Sequence, residues 1–238
     1  MHGIAQLDGR ETVRLGVLFS GGKDSAFACG MAMEREEVAC LITVVPENPE
    51  SYLFHTPNLH LTALQAEAAG LPLVSVTGRG VEEEEVADLS RAISLAVEGH
   101  AIAGVVTGAI RSVYQATRVQ RVCHELGLWC FNPLWQRDEG EHLDEVAGSG
   151  FRFVISGVSA APLGEEWLGR EVDRAALREL KALAGKHRMN PAGEGGEYET
   201  LVLDAPFFRK RIEILGASRE YHGGHGIFRV SDARLVAR

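Results

Sequence analysis

The sequence predicts an α/β chain, a doubly wound parallel sheet covered by helices on both faces and followed by a smaller C-terminal α+β domain. Three observations lead there. Short apolar runs alternate with helical patterns through residues 1–132, a glycine-rich turn joins the first apolar run to the first helix, and after Asn132-Pro133 the alternation gives way to β-rich sequence. Strands separated by helices of roughly 10–15 residues pair in parallel through right-handed crossovers.

Each element can be justified in turn. Residues 14–19 form the first apolar run, a helical pattern covers 24–35, and 38–45 is the second run. A helix opens near Asn58, which reads as its N-cap because a short amide can accept from the first free N–H groups, and it stops at Gly70. Strand 73–76, helix 82–97, strand 103–107, helix 112–126 and strand 128–131 complete a Rossmann-like domain over 1–132. The acidic run from Glu82 to Glu85 suits a first helical turn, where carboxylates complement the helix dipole. From 133 to 238 the pattern predicts helices over 141–147 and 173–183, a strand over 151–158, and tail strands over 198–203, 210–215 and 227–236. Trp135 and Trp167 read as core or domain-interface aromatics rather than a cation cage. The glycines between His222 and His225 read as a hairpin turn, and two histidines alone do not make a zinc site.

Charge and cysteine usage narrow the function classes. With 24 Lys and Arg against 33 Asp and Glu, the net charge of -9 opposes a protein that gains affinity by neutralising nucleic-acid phosphates. No stable nucleic-acid partner is expected. Cys29, Cys40, Cys123 and Cys130 include no C-x-x-C pair, so the expectation is a reducing, cytoplasmic setting with no structural metal. No apolar run approaches the roughly 20 residues that span a bilayer, and no membrane partner is expected. The oligomeric state is open, a homodimer included. Residues 205–238 carry seven Lys or Arg against three acids, a basic tail that suits either a protein partner or a solvated strand face.

The most specific local signal is Ser20-Gly21-Gly22-Lys23-Asp24-Ser25, set between the first strand and the first helix. Two glycines let the backbone turn and present successive N–H groups to an anion, and the helix N-terminus adds partial positive charge. Lys23 adds a full charge, and the Ser20 and Ser25 hydroxyls can donate to phosphate oxygens. Asp24 stands where the Walker loop has a hydroxyl residue, and a carboxylate beside phosphates implies a cation between them, assigned here as Mg2+ on Asp24. The plainer reading is a strand-to-helix turn with Asp24 or Ser25 as N-cap.

SGGKDS in this setting resembles the PP-loop, N-type ATP pyrophosphatase group, with its adenine nucleotide alpha hydrolase-like fold. The resemblance implies ATP as cosubstrate, cleaved to AMP and pyrophosphate as an acceptor oxygen is adenylated. It places adenine near Thr43 and Val44 and sets Thr107, Gly108 and Ala109 beside the nucleotide. Longer segments narrow it: ENPESYLFHTPNLHLTALQAEAAGLPL from Glu47, TGAIRSVYQATRVQRVCHELGL from Thr107, NPLWQRD from Asn132 and NPAGEGGEYETLVLD from Asn190. Together they resemble the diphthine ammonia ligase family. That family uses ATP and ammonium to amidate diphthine, the modified histidine of translation elongation factor 2. The resemblance thus implies this factor as protein substrate and free ammonium as nitrogen donor.

The remaining candidates follow from what such a substrate needs. Diphthine carries a trimethylammonium group, and Glu194, Gly195, Gly196, Glu197 and Glu199 offer three carboxylates on a glycine-rich turn, with Glu197 and Glu199 on one side if the stretch is extended. The plainer alternative is a β-turn with a solvated acidic edge. His55, in a loop at the carboxyl end of the sheet with Ser51 and Tyr52, is a candidate proton acceptor and substrate contact. Tyr114, Arg118 and Arg121 share a helix face, and Tyr114 and Arg118 are taken as substrate candidates. Adenylation of another acceptor such as a tRNA base, or nucleotide binding without catalysis, are the competing functions.

Overall fold

The computed structural model describes residues 4–7, 10–47, 57–80, 82–159 and 161–238. They fall into two compact units, one drawn from Met1–Ser20, Asp24–His55 and Gly70–Trp135, the other from Gly21–Lys23, Thr56–Ala69 and Gln136–Arg238.

The first unit holds β1 (Ile4–Leu7), β2 (Arg10–Leu18), α1 (from Lys23 to Met33), β3 (Glu37–Pro46), β4 (Leu73–Gly78), α3 (Glu82–His100), β5 (Gly104–Val106), α4 (Val113–Glu125) and β6 (Trp129–Phe131), with α2 (Thr62–Ala69) belonging to the second unit. The sheet order is β4-β3-β2-β5-β6. All four of those pairings are parallel. Cys40, Leu41, Ile42, Thr43 and Val44 of β3 are all buried, as a strand covered on both faces requires. Ile42 and Val44 pack with Leu89 and Ile93 of α3, Val105 of β5, and Val119 and Val122 of α4. Each such side chain contributes about 1.5–3 kcal/mol when fully buried. Ser112 caps α4 by accepting from the Gln115 N–H at 3.3 Å. Chain order reverses between β2 and β5, so the loops that follow them lie at the switch point where open α/β sheets bind ligands.

Two expectations for this half change. The run read as starting at residue 14 begins at Arg10, and β1 pairs with it antiparallel, Ile4 opposite Val13. β1 is the four-residue Ile4-Ala5-Gln6-Leu7, too short a run to show an alternation.

In the second unit, α5 (Glu139–Gly148), β7 (Arg152–Val158), α6 (Arg174–His187), β8 (Tyr198–Asp204), β9 (Lys210–His222) and β10 (His225–Ala237) give an antiparallel sheet in the order β8-β7-β10-β9. Asp173 caps α6, accepting from the Ala175 and Ala176 N–H groups at 2.9 and 2.8 Å. Trp167 is buried with the Arg170 guanidinium 4.3 Å from its ring, so it is a core aromatic, while Trp135 is partly exposed. Gly223 and Gly224, both with positive φ, turn the β9–β10 hairpin as expected, but β9 runs on to His222, well past residue 215. Asn58 is not an N-cap. It adopts φ 67°, makes no capping bond, and instead pairs with β10, donating to the Phe228 carbonyl and accepting from the Val230 N–H, both at 2.8 Å. Among the described residues no helix is long and apolar enough to cross a membrane.

Candidate active site

The SGGKDS-loop residues of the first unit are set by the ends of β2, β3 and β5. The Phe19 N–H donates to Ile42 O at 2.8 Å, and the buried Thr43 hydroxyl donates to Phe19 O at 2.7 Å, which fixes the exit of β2. Ser20 then meets Ser25, its N–H donating to Ser25 Oγ at 3.2 Å and the two hydroxyls lying 3.1 Å apart. Asp24 stands half-exposed in the first turn of α1. After β5, Gly108 approaches that turn so closely that a Cβ would lie 2.8 Å from Ser25 N, so only glycine fits. Thr107 Oγ1 accepts from the Ala109 N–H at 3.3 Å and shapes this second loop. Ser20, Asp24, Ser25 and the 107–109 turn are thus assembled locally, whereas the Val44 side chain is spent in the core.

Gly21 to Lys23 belong to the second unit, where β8 holds them. The Gly21 carbonyl accepts from the Val202 N–H at 3.0 Å and from Gln65 Nε2 at 2.9 Å. The Lys23 N–H donates to Thr200 Oγ1 at 3.0 Å. Its ammonium, in a residue only 2% exposed, donates to Ala192 O at 2.5 Å and lies 5.2 Å from the centre of the Tyr198 ring. A buried ammonium is tolerated only with such partners.

The 190–199 segment braces itself. The Ala192 N–H donates to Asn190 Oδ1 at 2.9 Å, the Asn190 N–H donates to Glu197 Oε1 at 2.8 Å, and the Tyr198 hydroxyl donates to Pro191 O at 2.6 Å. Gly193, at φ 74°, has no room for a Cβ against Tyr198. Glu197 therefore serves the turn with one oxygen, while its buried Oε2 accepts no hydrogen bond among the described residues. Glu199 lies on β8 opposite Gly157. Glu194 is half-exposed, and Gly195 and Gly196 are exposed. β8 starts at Tyr198, so Glu197 and Glu199 are not two positions of one strand. Among the described residues no three acidic, His or Cys side chains gather as a metal site.

On α4 the Arg118 guanidinium stacks 3.3 Å from the centre of the Tyr114 ring, so these two candidates form one unit, while Arg121 pairs with Glu125 at 3.6 Å on the exposed surface. His55, Ser51 and Tyr52 lie outside the described residues.

Gln65 and Thr200 were missed by sequence reading, and each had a signal. Gln65 is the buried amide of an alanine-rich helix, on the same face as Thr62 and Ala69. Thr200 closes the distinctive GEGGEYET run, where the carboxylates drew attention first.

Comparison with known proteins adds the family. The model of the diphthamide synthase N-terminal domain matches residues 13–130, and that of the diphthamide synthase C-terminal domain matches 138–236. Diphthine–ammonia ligase of Rattus norvegicus is 33% identical over 243 residues, covering 94% of this chain and 91% of that protein. The Bos taurus protein of the same name is 35% identical over 244 residues with the same coverage. The Schizosaccharomyces pombe one is 37% identical over 214 residues, 83% of this chain but 35% of the relative, so the chain spans about a third of that protein's length. Among solved structures, a predicted tRNA methyltransferase subunit from Methanocaldococcus jannaschii aligns over 80% of this chain and 96% of its own, with TM-score 0.43 and 17% identity. Family models over both halves, together with mammalian relatives aligned along nearly their whole length, establish that the chain belongs to the diphthine ammonia ligase family.

Proposed function

We propose that this chain amidates diphthine on translation elongation factor 2, using ATP and ammonium and releasing AMP and pyrophosphate. Family membership supports the reaction class. The observation that carries the reading at the site is the bonding of the phosphate loop to the GEGGEYET strand, with Lys23 N–H on Thr200 Oγ1 and Val202 N–H on Gly21 O. Gly21 to Lys23, suited to ATP phosphates, and the GEGGEYET segment, suited to a cationic substrate, are hydrogen-bonded parts of one compact unit.

The chemistry gives each part a task. A carboxylate resists ammonia until its oxygen can leave. The diphthine carboxylate oxygen attacks the α-phosphorus, the bond to the bridging oxygen breaks, and pyrophosphate departs. The ammonia lone pair then attacks the acyl carbon, AMP leaves with the electron pair of the broken C–O bond, and a nitrogen proton passes to solvent. Loop N–H groups, the α1 N-terminus, Ser20, Ser25 and Lys23 stabilise the departing phosphate charge. Asp24 is the loop's one carboxylate, which suits Mg2+, an ion that keeps mostly phosphate and water oxygens as ligands and lowers the phosphate charge when bound. Thr43 and Val44 and the 107–109 turn flank the nucleotide. Glu194, Glu197 and Glu199 favour the trimethylammonium group, and His55, Tyr114 and Arg118 complete the substrate contacts. Residues 1–132 act as the ATP-binding domain and 133–238 as the substrate domain. The four cysteines are free, which fits a reducing cytoplasm.

The test is to incubate the protein with ATP, ammonium and diphthine-bearing factor. One AMP and one pyrophosphate should appear per diphthamide formed, and Asp24→Ala should lower kcat at least about a hundredfold, the scale of losing one preorganised charge-stabilising group. ADP in place of AMP, or a factor of unchanged mass, would reject the reading.

A further inference from the structure

A loop that binds phosphates must turn its N–H groups toward the ligand and its carbonyls elsewhere, because a carbonyl oxygen repels an anion. Gly21 is the residue where this is hardest to secure. Its φ of 80° is open mainly to glycine, and a glycine without a Cβ to anchor it has the most backbone freedom to lose. Both lone pairs of its carbonyl are nonetheless taken, by the Val202 N–H at 3.0 Å and by Gln65 Nε2 at 2.9 Å. Gln65, 0% exposed, gives its other N–H to Val202 O at 2.8 Å, so one carboxamide ties the loop to β8 with both of its donors. The arrangement has a cost: Gln65 Oε1 is buried and accepts no hydrogen bond among the described residues. A side chain of the same length without polar atoms would avoid that cost and lose both ties. Two residues on, Thr200 Oγ1 takes the Lys23 N–H at 3.0 Å, one of the first-turn donors that a helix leaves unsatisfied.

We propose that Gln65 and Thr200 are positioning residues for nucleotide phosphates, holding the Gly21–Lys23 backbone in its loop conformation before ATP arrives. The lever is peptide planarity. In a trans peptide the C=O of Gly21 and the N–H of Gly22 point in opposite directions, so pinning that carbonyl on β8 and α2 directs the Gly22 N–H away from them. The inference rests on the phosphate-loop reading of SGGKDS.

Binding of AMP-PNP with Mg2+ is measured by calorimetry for the wild type, Gln65→Met, Thr200→Val and Thr200→Ser, at a temperature where near-UV dichroism shows each variant folded. Gln65→Met should bind roughly tenfold more weakly and raise KM for ATP by a similar factor, the scale of one or two lost hydrogen bonds, while KM for ammonium stays within about twofold. Thr200→Val should weaken binding several-fold, and Thr200→Ser, which keeps the hydroxyl, should restore it. A folded Gln65→Met that binds within about twofold of wild type overturns the proposal, and so does an equal rise in KM for ammonium. Should Gln65→Met fail to fold, the Thr200 pair decides, and equal affinities of the Val and Ser variants overturn it. Wild-type protein that binds no AMP-PNP removes the phosphate-loop reading itself, an outcome distinct from wild type and variants binding alike.

Discussion

Gly21 carries two constraints at once, a φ of 80° and a neighbour, Gln65 Oε1, that would lie 2.4 Å from any Cβ placed there. Gly21→Ala therefore meets both a left-handed backbone penalty and a clash with a buried amide. It should lower the unfolding free energy by about 1–3 kcal/mol in urea titration and weaken AMP-PNP binding; a variant as stable as wild type would show that the loop relaxes freely. The cysteines differ in the same local way. Burial pushes Cys29 and Cys40 up to about 12, whereas Cys123 donates its S–H to Cys130, which holds the half-exposed Cys130 below the ordinary thiol value. Iodoacetamide at pH 8 should label Cys130 first, read by peptide mass spectrometry, and equal labelling of Cys29 would contradict this. At this scale the SGGKDS turn between β2 and α1 was legible because its signal lies in six adjacent letters. Gln65 and Thr200 were not, since their bonds span 44, 137 and 177 residues.

The central parallel strands β3 and β5 were legible because each is a continuous buried apolar run. The second half of β9 was not. Arg219, Glu220 and His222 are exposed on an edge strand whose backbone ladder is with β10 alone, so no alternation marks them. Asn58 shows the other way an element escapes sequence reading. Its local chemistry favours a helix cap, but its carboxamide offers the same donor and acceptor as a strand backbone, and β10 takes both. A tertiary contact replaces the cap and sets the start of the Leu59–Leu61 turn that leads into α2. Asn58→Ala strands the buried Val230 N–H and leaves a non-glycine residue at φ 67°. It should cost about 2–4 kcal/mol by chemical denaturation, with Asn58→Asp intermediate because it keeps the acceptor alone. An Ala variant within 0.5 kcal/mol of wild type (about the spread of neutral surface changes) would mean the pairing adds nothing.

Over the whole chain, the net charge of -9 is not spread evenly, and the structure shows where the basic tail is spent. Arg229 pairs with Glu220, Arg234 with Glu213, Arg238 with Asp204 and Lys210 with Glu67, and Arg219 donates to Leu168 O, so five of the tail's seven basic residues are engaged within their own unit. The same pairing governs the acid limb of stability. Glu171, through two 2.8 Å bonds from Arg152, Asp173, through the Ala176 and Ala175 N–H groups, and Glu220, through Arg229, all have their carboxyls held below the usual values of 4.5, 3.8 and 4.5. A depressed folded-state value means that the unfolded chain takes up protons first as pH falls. These groups thus contribute fully from about pH 6 upward, begin to lose their contribution near the unfolded values, and lose all of it once pH drops through the folded ones. Glu171→Gln isolates one of them. Its partner pair is over a third exposed, so screening limits the effect, and the variant should be less stable than wild type at pH 7 by about 0.5 kcal/mol. That gap should narrow as urea titrations are repeated at falling pH, since the unfolded chain protonates at the ordinary carboxylate value before the folded Glu171 does, and it should shrink in 1 M salt (Debye length about 3 Å). A gap that stays constant from pH 7 to pH 3 would assign the loss to packing and remove Glu171 from the acid response.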